Sequence, residues 1–113
     1  MHNVVDMTYG ITEKDFSSQV EHLLYLFGWR WCHFRVAFSN KGWRTPIKGN
    51  KGFPDIVAVR PPTPRLLFIE LKSEKGKLSI PQVEWLELLK QCKGVEVYCW
   101  KPSQFEEIAS ILC

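Results

Sequence analysis

Apolar residues recur at helical spacing after Thr12: Phe16, Val20, Leu23, Leu24 and Phe27 fall on one face of a helix that Gly28 ends. Thr12-x-x-Asp15 forms a capping box at its start. Residues 29–38 then change to an aromatic and β-branched run, the first strand. Trp31, His33, Arg35 and Ala37 lie on one side of it and Cys32, Phe34, Val36 and Phe38 on the other, and the second set predicts the core face. Two further strands, residues 55–60 and 66–72, are separated by Pro61-Pro62-Thr63-Pro64, whose missing N–H donors permit only a turn. They are therefore expected to be antiparallel neighbours. After a Lys75-Gly76-Lys77 turn, Ser79 and Gln82 cap a helix with Pro81 in its first turn and Trp85, Leu86, Leu89 and Cys92 buried, and Gly94 stops it. Residues 95–100 alternate as a strand, parallel to its predecessor because a helix joins the two. Ser103-x-x-Glu106 caps a last helix with Phe105, Ile108, Ala109 and Leu112 inward. The order α-β-β-β-α-β-α predicts an α/β fold, a mixed central sheet flanked by helices.

The informative departures from this pattern are charges placed where a strand should be apolar. Glu70 and Lys72 follow five apolar residues with only Leu71 between them, so both point to one face. Asp55 opens its strand directly after Gly52-Phe53-Pro54, and antiparallel pairing carries it to the strand end where Glu70 stands. Adjacent carboxylates repel unless a cation lies between them, and Mg²⁺ is held by one or two carboxylates with water and phosphate completing its shell. Lys72 there can orient an attacking water or neutralise charge on a phosphate. Spacing alone leaves a second outcome open, an exposed Glu70–Lys72 pair at a strand end.

The run Lys51-Gly52-Phe53-Pro54-Asp55, then Phe68-Ile69-Glu70-Leu71-Lys72, then Leu78-Ser79-Ile80-Pro81-Gln82 resembles the virus-type replication-repair nuclease (VRR-NUC) branch of the PD-(D/E)xK nucleases. The resemblance spans residues 12–112. It implies a restriction-endonuclease-like core and a Mg²⁺- or Mn²⁺-dependent endonuclease. Asp55, Glu70 and the Leu71 carbonyl would hold the metal, Lys72 would position the nucleophile, and a glutamate on the first helix would complete the site. Counting back from Gly28-Trp29 places that glutamate at Glu13 rather than Glu21. Gln82, which capping already explains, would also lie near the active site, against the lysine or the substrate. DNA is the implied substrate, including branched forms such as Holliday junctions, cut by a homodimer. A phage-encoded enzyme working inside a host cell is the implied setting.

At 113 residues, 45% hydrophobic and 13% aromatic, the chain is expected to be one globular domain, residues 1–113. No apolar run is long enough to cross a bilayer, and residues 1–8 lack a basic start followed by an apolar stretch, so an intracellular location is expected. Cys32, Cys92, Cys99 and Cys113 show no C-x-x-C pair; reduced thiols packed as small hydrophobes and no structural zinc are expected. A net charge of +3 says little, but Lys41, Arg44, Lys48 and Lys51 lie between Ser39 and Gly52 with no acid among them. That stretch is expected to be a long basic loop that binds phosphates, helped by Arg35, with Trp43 available to stack on a base. His33 is expected to be a hydrogen-bonded strand residue ahead of a catalytic one, and Gln19 has no assigned role. Two other function classes stay open: a catalytically inactive DNA-binding or dimerisation module with the same fold, and a metal-dependent enzyme acting on mononucleotides.

Overall fold

Thr12 starts the first helix as the pattern requires, its hydroxyl accepting the Asp15 N–H at 3.0 Å. The helix, α1 (Glu13–Leu26), buries Phe16, Val20, Leu23 and Leu24. The computed structural model describes residues 10–34, 37–39, 42–44 and 47–113, with the side chains of 37–39 and 42–44 outside that description. After α1 come β1 (Arg30–His33), β2 (Ala37–Ser39), β3 (Gly42–Arg44), β4 (Ile56–Arg60), β5 (Arg65–Leu71), α2 (Ile80–Lys90), β6 (Val95–Trp100) and α3 (Phe105–Leu112).

The main sheet has the order β1-β4-β5-β6. β1 and β5 both run antiparallel to β4, while β6 is parallel to β5, as a helical crossover through α2 demands. The fold is thus α/β with a mixed sheet flanked by helices, and its elements keep the expected order apart from the added pair β2 and β3. Strand alternation assigns each face. Ile56, Ala58, Leu67, Ile69, Leu71 and Trp100 join the buried residues of α1 and α3 in one core. Asp55, Val57, Phe68 and Glu70 have the opposite parity and face α2.

Four expectations are corrected. The run 29–38 is not one strand: β1 ends at His33, and β2, at the end of the expected strand, pairs in a separate two-stranded sheet with β3, which lies inside the stretch expected to be a loop. The face of β1 is also reversed. Trp31 packs against the core and His33 bonds Glu21 of α1 at 2.5 Å, while Cys32 and Phe34 are exposed. A histidine with a carboxylate partner can be buried at little cost, and that partner was invisible in the strand's own pattern. Cys92 is exposed rather than part of the α2 stripe, and Cys113 is exposed too; of the four unpaired thiols only Cys99 is half-buried. Finally, Ser103 does not cap α3. A short 3-10 turn, Pro102–Gln104, leads into the helix, the Ser103 N–H donates to Glu74, and Phe105 stays partly exposed.

The end of α3 is tied to the sheet by three side chains. The Trp29 indole donates to the Leu112 carbonyl at 2.9 Å and Arg60 donates to the same oxygen at 2.6 Å. Arg65 reaches the Ile111 carbonyl at 3.1 Å and makes two 2.7 Å bonds to Glu96. Cations at a helix C-terminus meet the carbonyls that have no partner within the helix. Both guanidinium groups lie over the Trp29 ring, 4.6 and 5.1 Å from its centroid.

Leu67, fully buried at the middle of β5, tests this packing. Leu67→Ala is expected to lower the free energy of unfolding by about 2–5 kcal/mol. Urea unfolding reads this as a lower midpoint at unchanged slope, and a midpoint equal to the parent's would contradict the central placement.

Candidate active site

The β4–β5 ladder pairs Ile56 with Ile69, so the next residue outward on each strand, Asp55 and Glu70, stand side by side at the sheet's end. The Asp55 carboxylate accepts the Leu71 N–H at 2.9 Å, extending the pairing by a side-chain bond. The N–H and C=O of one strand residue share an edge, so the Leu71 carbonyl is turned to the Asp55 side. The Lys72 N–H points the other way, to the Trp100 carbonyl of β6.

Glu70 is 2% exposed and, among the described residues, is the one buried charged side chain. Its Oε2 accepts from Gln82 Nε2 at 3.0 Å and lies 3.7 Å from Lys72 Nζ. Its Oε1 is buried with no hydrogen-bond partner. Such an atom normally costs about 1–3 kcal/mol, more when charged. When Glu70 carries a proton it can donate it to Asp55, and that bond is among the causes that favour the protonated form. Burial above all, then the charge of Asp55, pushes the Glu70 carboxyl up to about 8, against a smaller opposing pull from Lys72. Glu13 adds to the rise, so its charge reaches the site from the first turn of α1. Glu21 is instead committed to His33.

Gln82 serves two purposes at once. Its Oε1 accepts the Ser79 N–H at 2.9 Å and its own N–H donates to the Ser79 hydroxyl at 3.3 Å, completing the capping box. Its side-chain amide nitrogen donates to Glu70, which places Gln82 beside the site residues.

The approach to Asp55 is fixed by contacts with α2. Gly52 has φ +97°, and a Cβ there would fall 2.6 Å from the Pro81 carbonyl carbon, so the glycine preceding Phe53-Pro54-Asp55 is demanded by close packing. The Trp85 indole donates to the carbonyls of Lys51 at 3.0 Å and Asn50 at 3.2 Å. Phe53 meets Phe34, Phe68 and Trp85 edge-on at centroid distances of 5.7, 5.8 and 5.0 Å. The result is a cleft of about 400 Å³ lined by Phe34, Ile47, Gly49, Lys51, Gly52, Phe53, Pro54, Asp55 and Gln82.

The structure therefore brings Asp55, Glu70, Lys72 and Gln82 together, with Glu13 within electrostatic reach. Lys48 and Lys51 are exposed on the loop leading to Asp55. Arg35 and Lys41 lie outside the described residues, as do the side chains of Arg44 and Trp43. His33 and Gln19 make no contact with the carboxylates that the described geometry records. Sequence reasoning missed Phe34 as a wall of the cleft, since strand alternation assigns it to the core, and missed Trp85 as the residue that packs on Phe53 and holds the Asn50 and Lys51 carbonyls, since it shows only helical periodicity. Among the described residues no three His, Cys, Asp or Glu side chains cluster as a self-sufficient metal cage. Two hard carboxylates, one of them with an orphaned buried oxygen, and a backbone carbonyl do fit an ion that keeps much of its water.

The raised Glu70 value fixes a pH dependence. Between the ordinary carboxyl value of 4.5 and about 8, the folded chain holds a proton that the unfolded chain has released. Stability of the metal-free protein is therefore expected to fall as pH rises across that window. Thermal unfolding in chelator should show the decline, and Glu70→Gln should flatten it; an equal slope in both proteins would contradict the assignment.

With the geometry established, comparison with known proteins places the chain. The family model described as VRR-NUC domain matches residues 40–102, more than half of the chain, including Asp55, Glu70, Lys72 and Gln82 but neither Glu13 nor Arg35. No curated protein and no solved structure matches it. Motif, sheet order and family match agree: the chain belongs to the VRR-NUC family, a branch of a nuclease superfamily.

Proposed function

We propose that this protein is a Mg²⁺- or Mn²⁺-dependent endonuclease that hydrolyses phosphodiester bonds in DNA. The observation that carries the reading is the buried, unpartnered Glu70 Oε1 beside Asp55. A neutral core residue would serve the fold better at that position, whereas a hard cation gives the orphaned oxygen its partner. Asp55, Glu70 and the Leu71 carbonyl would hold the ion, and Glu13, whose charge reaches Glu70, would bind a metal-held water or a second ion. When bound, the cation makes water more acidic and offsets charge on the phosphate.

The chain's own groups do the rest. Gln82 and Lys72 hold Glu70 Oε2, which leaves Oε1 for the ion. Lys72 orients the attacking water or steadies the negative charge that builds on the phosphate. Lys48 and Lys51 take the flanking phosphates, with Arg35, Lys41 and Arg44 as further candidates in the same segment. A polymer substrate follows from this acid-free basic stretch, since a mononucleotide has no flanking phosphates to meet it. Branched DNA such as a four-way junction, cut by a homodimer inside a phage-infected cell, completes the reading; two strands cut together need two sites.

Asp55→Ala and Lys72→Ala test it in a cleavage assay with single-stranded, nicked, flapped and four-way DNA under each metal. Each substitution is expected to lower the rate by about a hundredfold or more, and chelator should abolish cutting. Parent-like cleavage by both variants would refute the assignment, and an inactive parent that still binds DNA would leave an inactive binding module.

A further inference from the structure

Beside the cleft runs a groove of about 450 Å³ lined by Phe34, Ile47, Lys48, Asn50, Phe53 and Trp85. Phe34 is 42% and Ile47 49% exposed; other large apolar side chains are exposed too, but these two meet in one groove together with Phe53 and Trp85. We propose that this groove receives an unpaired base of the DNA as a subsite beside the carboxylates. The proposal rests on the nuclease reading and adds a base-contacting surface to it.

Three observations favour a base over another occupant. The groove is continuous with the site: the Phe34 N–H donates to the Asp55 carbonyl at 2.8 Å, and Phe34, Ile47 and Phe53 also line the cleft that holds Asp55 and Gln82. Its rim is cationic, with exposed Lys48 in its lining, exposed Lys51 next to Asn50, and no acid among the lining residues. A base in the groove can therefore keep its own phosphate near these lysines while the neighbouring phosphate reaches Asp55. The aromatic walls, lastly, offer contact surface without a free donor. The Trp85 N–H is spent on the Asn50 and Lys51 carbonyls, so aromatic and aliphatic contact remains. Such contact tolerates any base and requires one that has left its pair.

The test is binding in chelator, where cleavage plays no part, by fluorescence anisotropy at fixed salt. The probes are a continuous duplex, the same duplex with a short unpaired flap, and that flap with abasic sites replacing its bases. The parent is expected to bind the flap roughly tenfold tighter than the duplex, the scale of one base–aromatic stack. Phe34→Ala should lose that preference, read as the ratio of flap to duplex affinity, and Phe34→Tyr should keep it. Abasic sites should cost the parent as much as Phe34→Ala does, and the two losses should not add. Equal affinity of the parent for flap, abasic flap and duplex overturns the proposal, whatever the variants do. So does a Phe34→Ala variant that binds every probe less well by the same factor. A fall in oligomer mass with unchanged DNA preference would assign the groove to a second copy of the chain and equally overturn it. Metal-dependent duplex cleavage that Asp55→Ala abolishes would show the nuclease reading surviving such a failure. Flap preference without cleavage of any DNA would show the reverse.

Discussion

Asp55 accepting the Leu71 N–H at the end of the β4–β5 ladder is the interaction on which the rest of the site depends. It extends an antiparallel register by one side-chain bond and so fixes a carboxylate beside Glu70 on the face toward α2. Nothing in a half-buried sheet favours two acids there. Their mutual repulsion and the burial of Glu70 both drive its carboxyl toward the protonated form. What holds the arrangement is a set of contacts from other elements: Gln82 from the α2 cap, Lys72 from the strand's own continuation, and the Gly52–Pro81 approach that seats the preceding loop.

These contacts also explain why the helix cap and the site share residues. Ser79 and Gln82 close the first turn of α2, and the turn's geometry aims the spare amide donor at Glu70. A change at Gln82 therefore acts on helix and carboxylate together. Trp85, one turn further on, fastens the basic loop, so a single short helix positions the acid, the loop carrying Lys48 and Lys51, and the aromatic wall.

Much of this was legible before any coordinates. Helical spacing after Thr12, the proline turn at 61–64 and the Ser79–Gln82 cap each rest on local chemistry, and each stands where expected. The juxtaposition of Asp55 and Glu70 followed from antiparallel pairing across a short turn. What the chain did not disclose depends on contacts between distant segments. The face of β1 was ambiguous because both of its sides carry aromatic residues, and Glu21, the partner that lets His33 face inward, sits on another element. The β2–β3 hairpin occupies a stretch whose glycines and cations show no alternation. Gln82 showed its capping role plainly, but its bond to Glu70 depends on where α2 docks. The orphaned oxygen of Glu70 has no sequence signature, since it depends on how distant elements pack around the carboxyl group.

A crystal of the protein grown with Mn²⁺ and measured for anomalous scattering addresses the metal assignment directly. A peak between the Asp55 and Glu70 carboxylates, with oxygens of both within about 2.2 Å of the ion, is the expected result. Absence of such a peak at saturating Mn²⁺, with the two carboxyl groups instead sharing a hydrogen bond, would contradict it.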